Sequence, residues 1–326
     1  MKTRKLISLT AAISLILVTF LIVSFMEKPM NRDRQEFAIL LITNDDLKPE
    51  WETFTTWKKR IGKPSKTITV SQINEIYEGA DIQEKIRACC LEHINNQGVK
   101  WVILGGDSEG DAGIVPHRMT PHSAYGSRYF LPTDYYYISE TDWDSNANGI
   151  FGEFKKDAQS ISYTNDKAVI GRIPVRTKMD VKAYTDKVIA YESEYPEKDF
   201  ATNMTYTCNV ESAYAKLSTS TDIIKNECSN VTVSQFYDHE TPWSKHTNGE
   251  TGLTTDKWMN SINDQKNGKI HMHGHGLINL WVMNDGTHIT ANEVNKLTNK
   301  NAYPVITTVS CFTGEFDSYQ DPSIVE

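Results

Sequence analysis

Two stretches in the last third of the chain carry residue types able to do covalent chemistry. Ile270-His271-Met272-His273-Gly274-His275-Gly276 is a β-like run ending in His-Gly. Val305-Ile306-Thr307-Thr308-Val309-Ser310-Cys311-Phe312-Thr313-Gly314 is a β-branched run that delivers a cysteine into a small turn. A thiol is a nucleophile only as thiolate and needs a base beside it. A histidine titrating near neutrality can take that proton and pass it to a leaving amine. Gly276 removes a side chain beside His275, so its backbone N–H can approach a carbonyl oxygen in an oxyanion hole. Singly, a cysteine after a strand is as readily a small buried hydrophobe, and His-Gly is common. Together, at the ends of consecutive strands, they point to Cys311 and His275 as a nucleophile and base.

Metal is the chemical rival. His271, His273 and His275 alternate, so on a strand all three would face one way and could hold Zn²⁺ that activates water. No Asp-His pair follows, the run continues as apolar Leu277-Ile278-Asn279-Leu280-Trp281, and a metal site would leave Cys311 unexplained. A non-catalytic surface scaffold is the other alternative, and it would be indifferent to loss of Cys311.

A separate oxygen-rich cluster lies at Asp142-Trp143-Asp144-Ser145-Asn146-Ala147-Asn148-Gly149-Ile150-Phe151-Gly152-Glu153. Asp142, Asp144, Asn146 and Asn148 alternate and Glu153 closes the set, which suits Ca²⁺. The glycine stands at loop position 8 rather than 6, so a helix-flanked EF-hand is not expected. The expectation is structural Ca²⁺ stiffening a long insertion, against an unliganded polar loop.

The elements that must position these groups alternate strand and helix. Apolar runs at 37–42, 66–70, 101–107 and 169–174 read as buried strands, with helices at 50–61, 81–95 and 179–192. A second series begins with Met204–Val210. It continues through a helix near Thr221–Glu227, a strand at 231–236 and a helix at 254–264 to the histidine motif. Thr290, with Glu293 three residues on, caps a helix expected over 290–298 before the cysteine motif. Such alternation implies an α/β fold of mainly parallel sheets flanked by helices, in two related subdomains. Open α/β sheets place chemistry at the carboxyl ends of strands, where His275 and Cys311 fall. The expected boundaries are 1–30, 31–197 with an insertion at 108–165 rich in Tyr, Asp, Asn and Gly, and 198–326.

The formal net charge of −8 is interspersed and offers no basic patch, so nucleic acid is not an expected partner. Lys2, Arg4 and Lys5 precede an uncharged apolar run at residues 6–25. As a helix that run spans roughly 30 Å, enough for a bilayer. It exceeds a usual secretory h-region and lacks an A-x-A cleavage site, which favours an uncleaved signal anchor over a cleaved signal peptide. Either form exports the remainder of the chain, so the protein is expected to be extracytoplasmic, membrane-anchored or secreted. Five cysteines leave at least one thiol unpaired in an exported chain. Adjacent Cys89 and Cys90 read as structural, Cys208 and Cys228 could pair, and Cys311 remains.

The histidine motif and Val309-Ser310-Cys311-Phe312-Thr313-Gly314-Glu315-Phe316 resemble the catalytic signature of the gingipain family of cysteine peptidases, within the wider caspase, legumain and clostripain clan. The resemblance covers roughly residues 37–326, including Phe54–Lys59, Val102–Asp107, Val169–Pro174 and Trp281. It implies a caspase-like fold and an endopeptidase acting on protein or peptide substrates, without an organic cofactor. Cys311 would attack the carbonyl, His275 would protonate the leaving amine, and the N–H groups of Gly276 and Cys311 would hold the oxyanion. Glu211, after the first strand of the second half, would orient His275. Asp222, at the start of the next helix, would line an S1 pocket for Arg or Lys, and Trp281 is expected to border substrate. Similar Asp/Asn/Gly loops in the family agree with Ca²⁺ at 142–153. The family's long inhibitory propeptide is not expected in the short stretch before the first strand. Its further strands and helices would lie beyond Glu326, so the catalytic half is expected to be incomplete at its C-terminus.

Overall fold

The computed structural model describes residues 37–108, 113–124, 127–154, 156–157, 161, 166–193, 200–209, 211–237, 252–283, 285–317 and 323–324. The apolar segment 6–25 lies outside these, and among the described residues no helix is long and apolar enough to cross a membrane.

The first half is built on β1 (Ile39–Thr43), whose five residues are all buried. A continuous apolar run of this kind is what a parallel strand covered on both faces requires. The chain continues through α1 (Glu52–Arg60), β2 (Ser65–Thr69), α2 (Val70–Ile76), α3 (Ile82–Gln97) and β3 (Trp101–Gly105). Local chemistry sets the helix ends. Thr69 and Gln72 form a reciprocal capping box at α2, and the Asp81 carboxylate accepts from the Glu84 N–H at α3. Gly98 closes α3 at φ 73°, a left-handed conformation that glycine adopts without a Cβ penalty.

The insertion contains an antiparallel hairpin, β4 (Arg118–Ala124) and β5 (Ser127–Thr133), which the sequence pattern did not reveal. Pro121 and Pro132 interrupt its strand signal, and its pairing is made across a turn rather than against an apolar core. Arg118 pins it down. Its guanidinium lies 3.9 Å from the Phe151 ring centre and 4.6 Å from that of Tyr136, and it grips Asp81 with two hydrogen bonds of 2.8 Å. β6 (Val169–Ile173) and α4 (Lys178–Ser193) complete a four-stranded parallel sheet of order β2-β1-β3-β6.

The second half repeats the plan with β7 (Asn203–Cys208), α5 (Glu211–Glu227), β8 (Thr232–Tyr237), α6 (Thr255–Asn263) and β9 (Lys269–His273). A small antiparallel sheet follows, made of β10 (Gly276–Leu277), β11 (Leu280–Val282) and β12 (His288–Thr290). Then come α7 (Ala291–Val294) and β13 (Val305–Val309). The main sheet is again parallel, in the order β8-β7-β9-β13. Its core gathers Trp258, Ile262, Ile270, Met272, Trp281 and Ile289. Two helix expectations need correction. α5 starts at Glu211, ten residues before the expected Thr221, because no glycine or proline interrupts the run between them. α7 has the expected Thr290–Glu293 capping box but ends after one turn.

In both sheets the first strand is central, the second lies on one side and the third on the other. Each sheet therefore has a topological switch point beside its first strand, where a crevice opens at the carboxyl edge.

Candidate active site

The second sheet's switch point lies between β7 and β9. Register pairs Cys208 of β7 with His273 of β9, and His273 with Val309 of β13. Two residues further along each neighbour stand His275 and Cys311, both exposed. Adjacent strands run about 4.8 Å apart, so the backbones of His275 and Cys311 follow neighbouring strand ends at one edge of the sheet.

Gly276 opens β10 directly behind the histidine. A Cβ there would lie 2.7 Å from Thr313 Cγ2 and 3.1 Å from Ser310 Cβ, so only glycine lets this backbone close on the cysteine turn. The turn itself is tight. Thr313 is buried, its hydroxyl donates to the Ser310 carbonyl at 3.3 Å, and the Glu315 N–H donates to the Phe312 carbonyl at 3.0 Å. Phe312, immediately after Cys311, has φ 59°. For a residue with a bulky side chain that conformation costs about 1–2 kcal/mol, which the packing on both sides of the turn must offset.

One organising residue escaped the sequence reading. Asn209, at the end of β7, donates its backbone N–H to the His273 carbonyl at 3.1 Å. Its side-chain oxygen accepts the His275 N–H at 2.8 Å, and its amide donates to the Val282 carbonyl at 2.6 Å. Asn209 therefore fixes the backbone that carries the imidazole. A Cβ on Gly274 would fall 2.1 Å from that side-chain oxygen, which explains the glycine. The only signal in the sequence is a polar residue at the carboxyl end of a strand.

Other site residues are placed differently from expectation. Glu211 begins α5 just beyond β7, as expected of a group near His275; its side chain lies outside the described part of the structure. Asp222 is inside α5, eleven residues after Glu211 and not at a helix start. That is roughly 16 Å down the helix axis from the catalytic edge. Trp281 is 4% exposed and packs against Trp258, and its indole N–H donates to the Thr308 hydroxyl at 3.1 Å. It serves the core that supports β13 rather than an open substrate surface. The physical reason is its place at the centre of β11, where alternation turns it inward onto Trp258, Ile270 and Met272.

Of the three alternating histidines, His271 and His273 stand side by side on the strand with ring centres 6.1 Å apart. β9 ends at His273, and His275 lies beyond it, held by Asn209. His271 bonds the Thr307 hydroxyl at 2.9 Å, and burial, then the His273 charge, lowers its pKa. Among the described residues no three His, Cys, Asp or Glu side chains are grouped to hold a metal.

The 142–153 loop is exposed and satisfied from within. Asp144 accepts the backbone N–H groups of Asn148 and Gly149 at 2.9 Å, and Asp142 that of Asp144 at 3.0 Å. The amides of Asn146 and Asn148 converge on one oxygen of Glu153, at 3.1 and 2.7 Å. Asp157, missed in the sequence, ties the loop together by accepting from Ser145 and the Glu153 N–H. The groups that converge on Glu153 are amide donors, while the Asn146 and Asn148 oxygens accept the N–H groups of Asn148 and Ile150 at 3.1 and 2.9 Å, so the loop's polar groups hold one another.

The remaining cysteines form no disulfide among the described residues. Cys89 and Cys90 are fully buried, and burial pushes the Cys89 thiol up to about 12 and Cys90 well above its ordinary value. Cys208 is buried on β7 while Cys228 is exposed after α5, and they form no disulfide.

Two parallel sheets of matching order, one with a histidine and a cysteine just beyond the carboxyl ends of two paired strands, have the layout of an α/β cysteine peptidase. The sequence profile of peptidase family C25 matches residues 32–326, and the chain belongs to that family. No curated protein sequence matches it significantly. The fold is similar to the Arg-specific cysteine proteinase gingipain R (RgpB), with a TM-score of 0.63 at 17% identity over 89% of this chain. It is similar also to RgpB in the complex of its pro- and mature domains from Porphyromonas gingivalis, with a TM-score of 0.63 at 18% identity over 88% of this chain. A third structure, of a protease, gives 0.59 at 14% over 89% of this chain. The chain spans 58%, 58% and 55% of the length of those three chains. At these identities the likeness is one of fold.

Proposed function

We propose that this chain is an extracytoplasmic cysteine endopeptidase in which Cys311 and His275 form the catalytic dyad. The observation that carries the reading is the register of β9 and β13, which brings both residues to one edge of the sheet while Gly276 packs on the cysteine turn. In the reaction the Cys311 thiolate bonds to the scissile carbonyl carbon. The oxyanion is received by the N–H groups of Gly276 and Cys311. The C–N bond breaks as His275 gives its proton to the departing amine. Water then attacks the thioester, His275 takes a proton from it, and the carboxylic acid leaves with the thiolate restored. Glu211 is proposed to orient His275.

Arg or Lys before the scissile bond is the proposed preference, with Asp222 as the carboxylate tested for it. Residues 6–25 are proposed to export the catalytic part and to tether it to the membrane if uncut. The alternation of Asp142, Asp144, Asn146 and Asn148, closed by Glu153, supports Ca²⁺ at the insertion loop. Its part would be to hold that loop, outside the chemistry.

Fluorogenic peptides with Arg, Lys, Asn or Asp at P1 test the proposal. Turnover of a basic peptide lost in both Cys311→Ala and His275→Ala is expected, and an unchanged KM in Asp222→Asn would assign the basic preference to another residue. Turnover that survives Cys311→Ala and stops on chelation would sink the dyad in favour of metal chemistry. A folded chain that cleaves none of the peptides would favour a scaffold.

A further inference from the structure

The cysteine turn is anchored outside its own half. Beyond Cys311 the chain reaches Phe316 and Asp317, which sit in a socket at the carboxyl edge of the first sheet. Arg172, on β6, forms the socket's floor. Its guanidinium bonds Asp134 through Nε at 2.8 Å and Nη2 at 2.6 Å. Its other N–H groups reach the carbonyls of Gly106 and Val115 at 2.7 Å and Pro116 at 3.3 Å. All five donors are thereby used, and the plane of the cation is fixed in place. The Phe316 ring lies with its centre 4.9 Å from that cation, a cation–π contact made in a site where Arg172 is only 4% exposed.

His117 forms the wall. Its ring meets Phe316 edge-on, with centres 6.0 Å apart, its Nδ1 pairs with the Ser108 hydroxyl at 2.8 Å, and its Nε2 faces the Asp317 carboxylate at 3.7 Å. The other Asp317 oxygen is buried without a hydrogen bond. Burying it costs free energy, which the clamp on Phe316 and the charge of Arg172 nearby must offset. At the other end of the turn Thr313 fills the space a Gly276 side chain would take. The strained Phe312 backbone thus lies between the end of β13 and the fixed points at Thr313 and Phe316.

We infer that the first half supplies a positioning socket for the nucleophile, with Phe316 as the plug and Arg172 and His117 as the positioning residues that hold the Cys311 turn in register with His275. This rests on the dyad reading for its catalytic meaning, though the anchoring itself does not. No residue of the first half is asked to touch substrate.

Hydrogen exchange and kinetics of the full chain separate the two. Phe316→Ala should speed exchange of the amides of 311–317 by at least about tenfold and lower kcat about tenfold or more, with KM little changed, as expected for a misplaced reacting group. Phe316→Tyr, which keeps a ring over the guanidinium, should restore both. Should Phe316→Ala fail to fold, Phe316→Leu carries the same test, since it keeps the apolar bulk and loses the cation–π contact. Unchanged exchange across 311–317 would overturn the anchor. Faster exchange with unchanged kcat would overturn its positioning role. If the wild-type chain cleaves no peptide, the dyad reading has failed, and the exchange result still decides whether the socket holds the turn.

Discussion

The two sheets share a strand order but treat their switch points in opposite ways. In the first, the crevice between β1 and β3 is filled. Trp51 is fully buried there and lies 2.9 Å from where a Gly105 Cβ would stand, while the Thr43 hydroxyl donates to the Gly105 carbonyl at 2.6 Å. In the second, the Asn209 side chain bridges the ends of β7 and β9, and His275 and Cys311 stand exposed beyond the ends of β9 and β13. The strands differ in the same sense: β1 is wholly buried, whereas β13 leaves Val305 46% and Val309 53% exposed. The cysteines make the same point. Cys89 and Cys90 are sealed in apolar surroundings that disfavour the thiolate, and Cys311 is at the surface. One topology can serve as a packed support or as a site, depending on what fills the crevice.

Catalysis should depend on the open half and stability on the plugged one, and the sharpest break is at the dyad. Cys311→Ala should lower kcat by a factor on the order of 10⁴ or more. The melting temperature should hold, because an exposed side chain carries little packing energy. A large loss of stability, read by calorimetry, would contradict the division. Trp51→Ala should do the reverse, costing about 3–5 kcal/mol in urea unfolding through the lost burial and the cavity. Residual folded protein should keep its kcat.

Within the open half, Gly274→Ala should cost about 10- to 100-fold in kcat by pushing Asn209 off the His275 backbone. Adding Asn209→Ala removes the clash, so the double variant should be no worse than Asn209→Ala alone. An additive loss would show that the two do not act through that contact.

Acid should find the plugged half first. His93 is buried on α3, bonds the Cys89 carbonyl through Nδ1 at 2.8 Å and faces the Lys66 ammonium through Nε2 at 2.9 Å. The ammonium can only donate, so Nε2 accepts and the ring is the neutral Nδ1–H form. Burial lowers its pKa, partly opposed by the Cys89 carbonyl. The unfolded value is near ~6.5. Its folded value is below that, so its stabilising contribution is complete above about pH 6.5 and is lost as pH falls through the folded pKa. Melting curves between pH 7.5 and 5 should show this decline for wild type and a shallower one for His93→Gln. Equal slopes would remove His93 as the cause. The smallest effect is expected from Ca²⁺, which at a concentration equal to its Kd adds only about 0.4 kcal/mol. That shift in melting temperature should vanish in Glu153→Gln, and a shift that persists would place the ion elsewhere.

The sequence by itself determined what depends on neighbours along the chain. Apolar runs identified β1, β3 and β6, the alternating histidine motif identified β9, and the β-branched run identified β13. Asp81 and Gly98 bound α3, and the Thr290–Glu293 pair caps α7 as read. Strand ends followed by His-Gly and Ser-Cys made the candidate dyad legible, because each motif is local and the carboxyl edge of a parallel sheet is a general rule. What only the tertiary structure decided depends on partners far apart in sequence. Asn209 reaches His275 across 66 positions, and Phe316 finds Arg172 and His117 in the other half. The start of α5, which carried Asp222 away from the catalytic edge, had no glycine or proline to mark it. The hairpin of the insertion is held by Arg118 stacked between aromatic rings, and no periodicity records that contact. Periodicity fixes which face of an element is buried; only the packed sheets decide what that face meets.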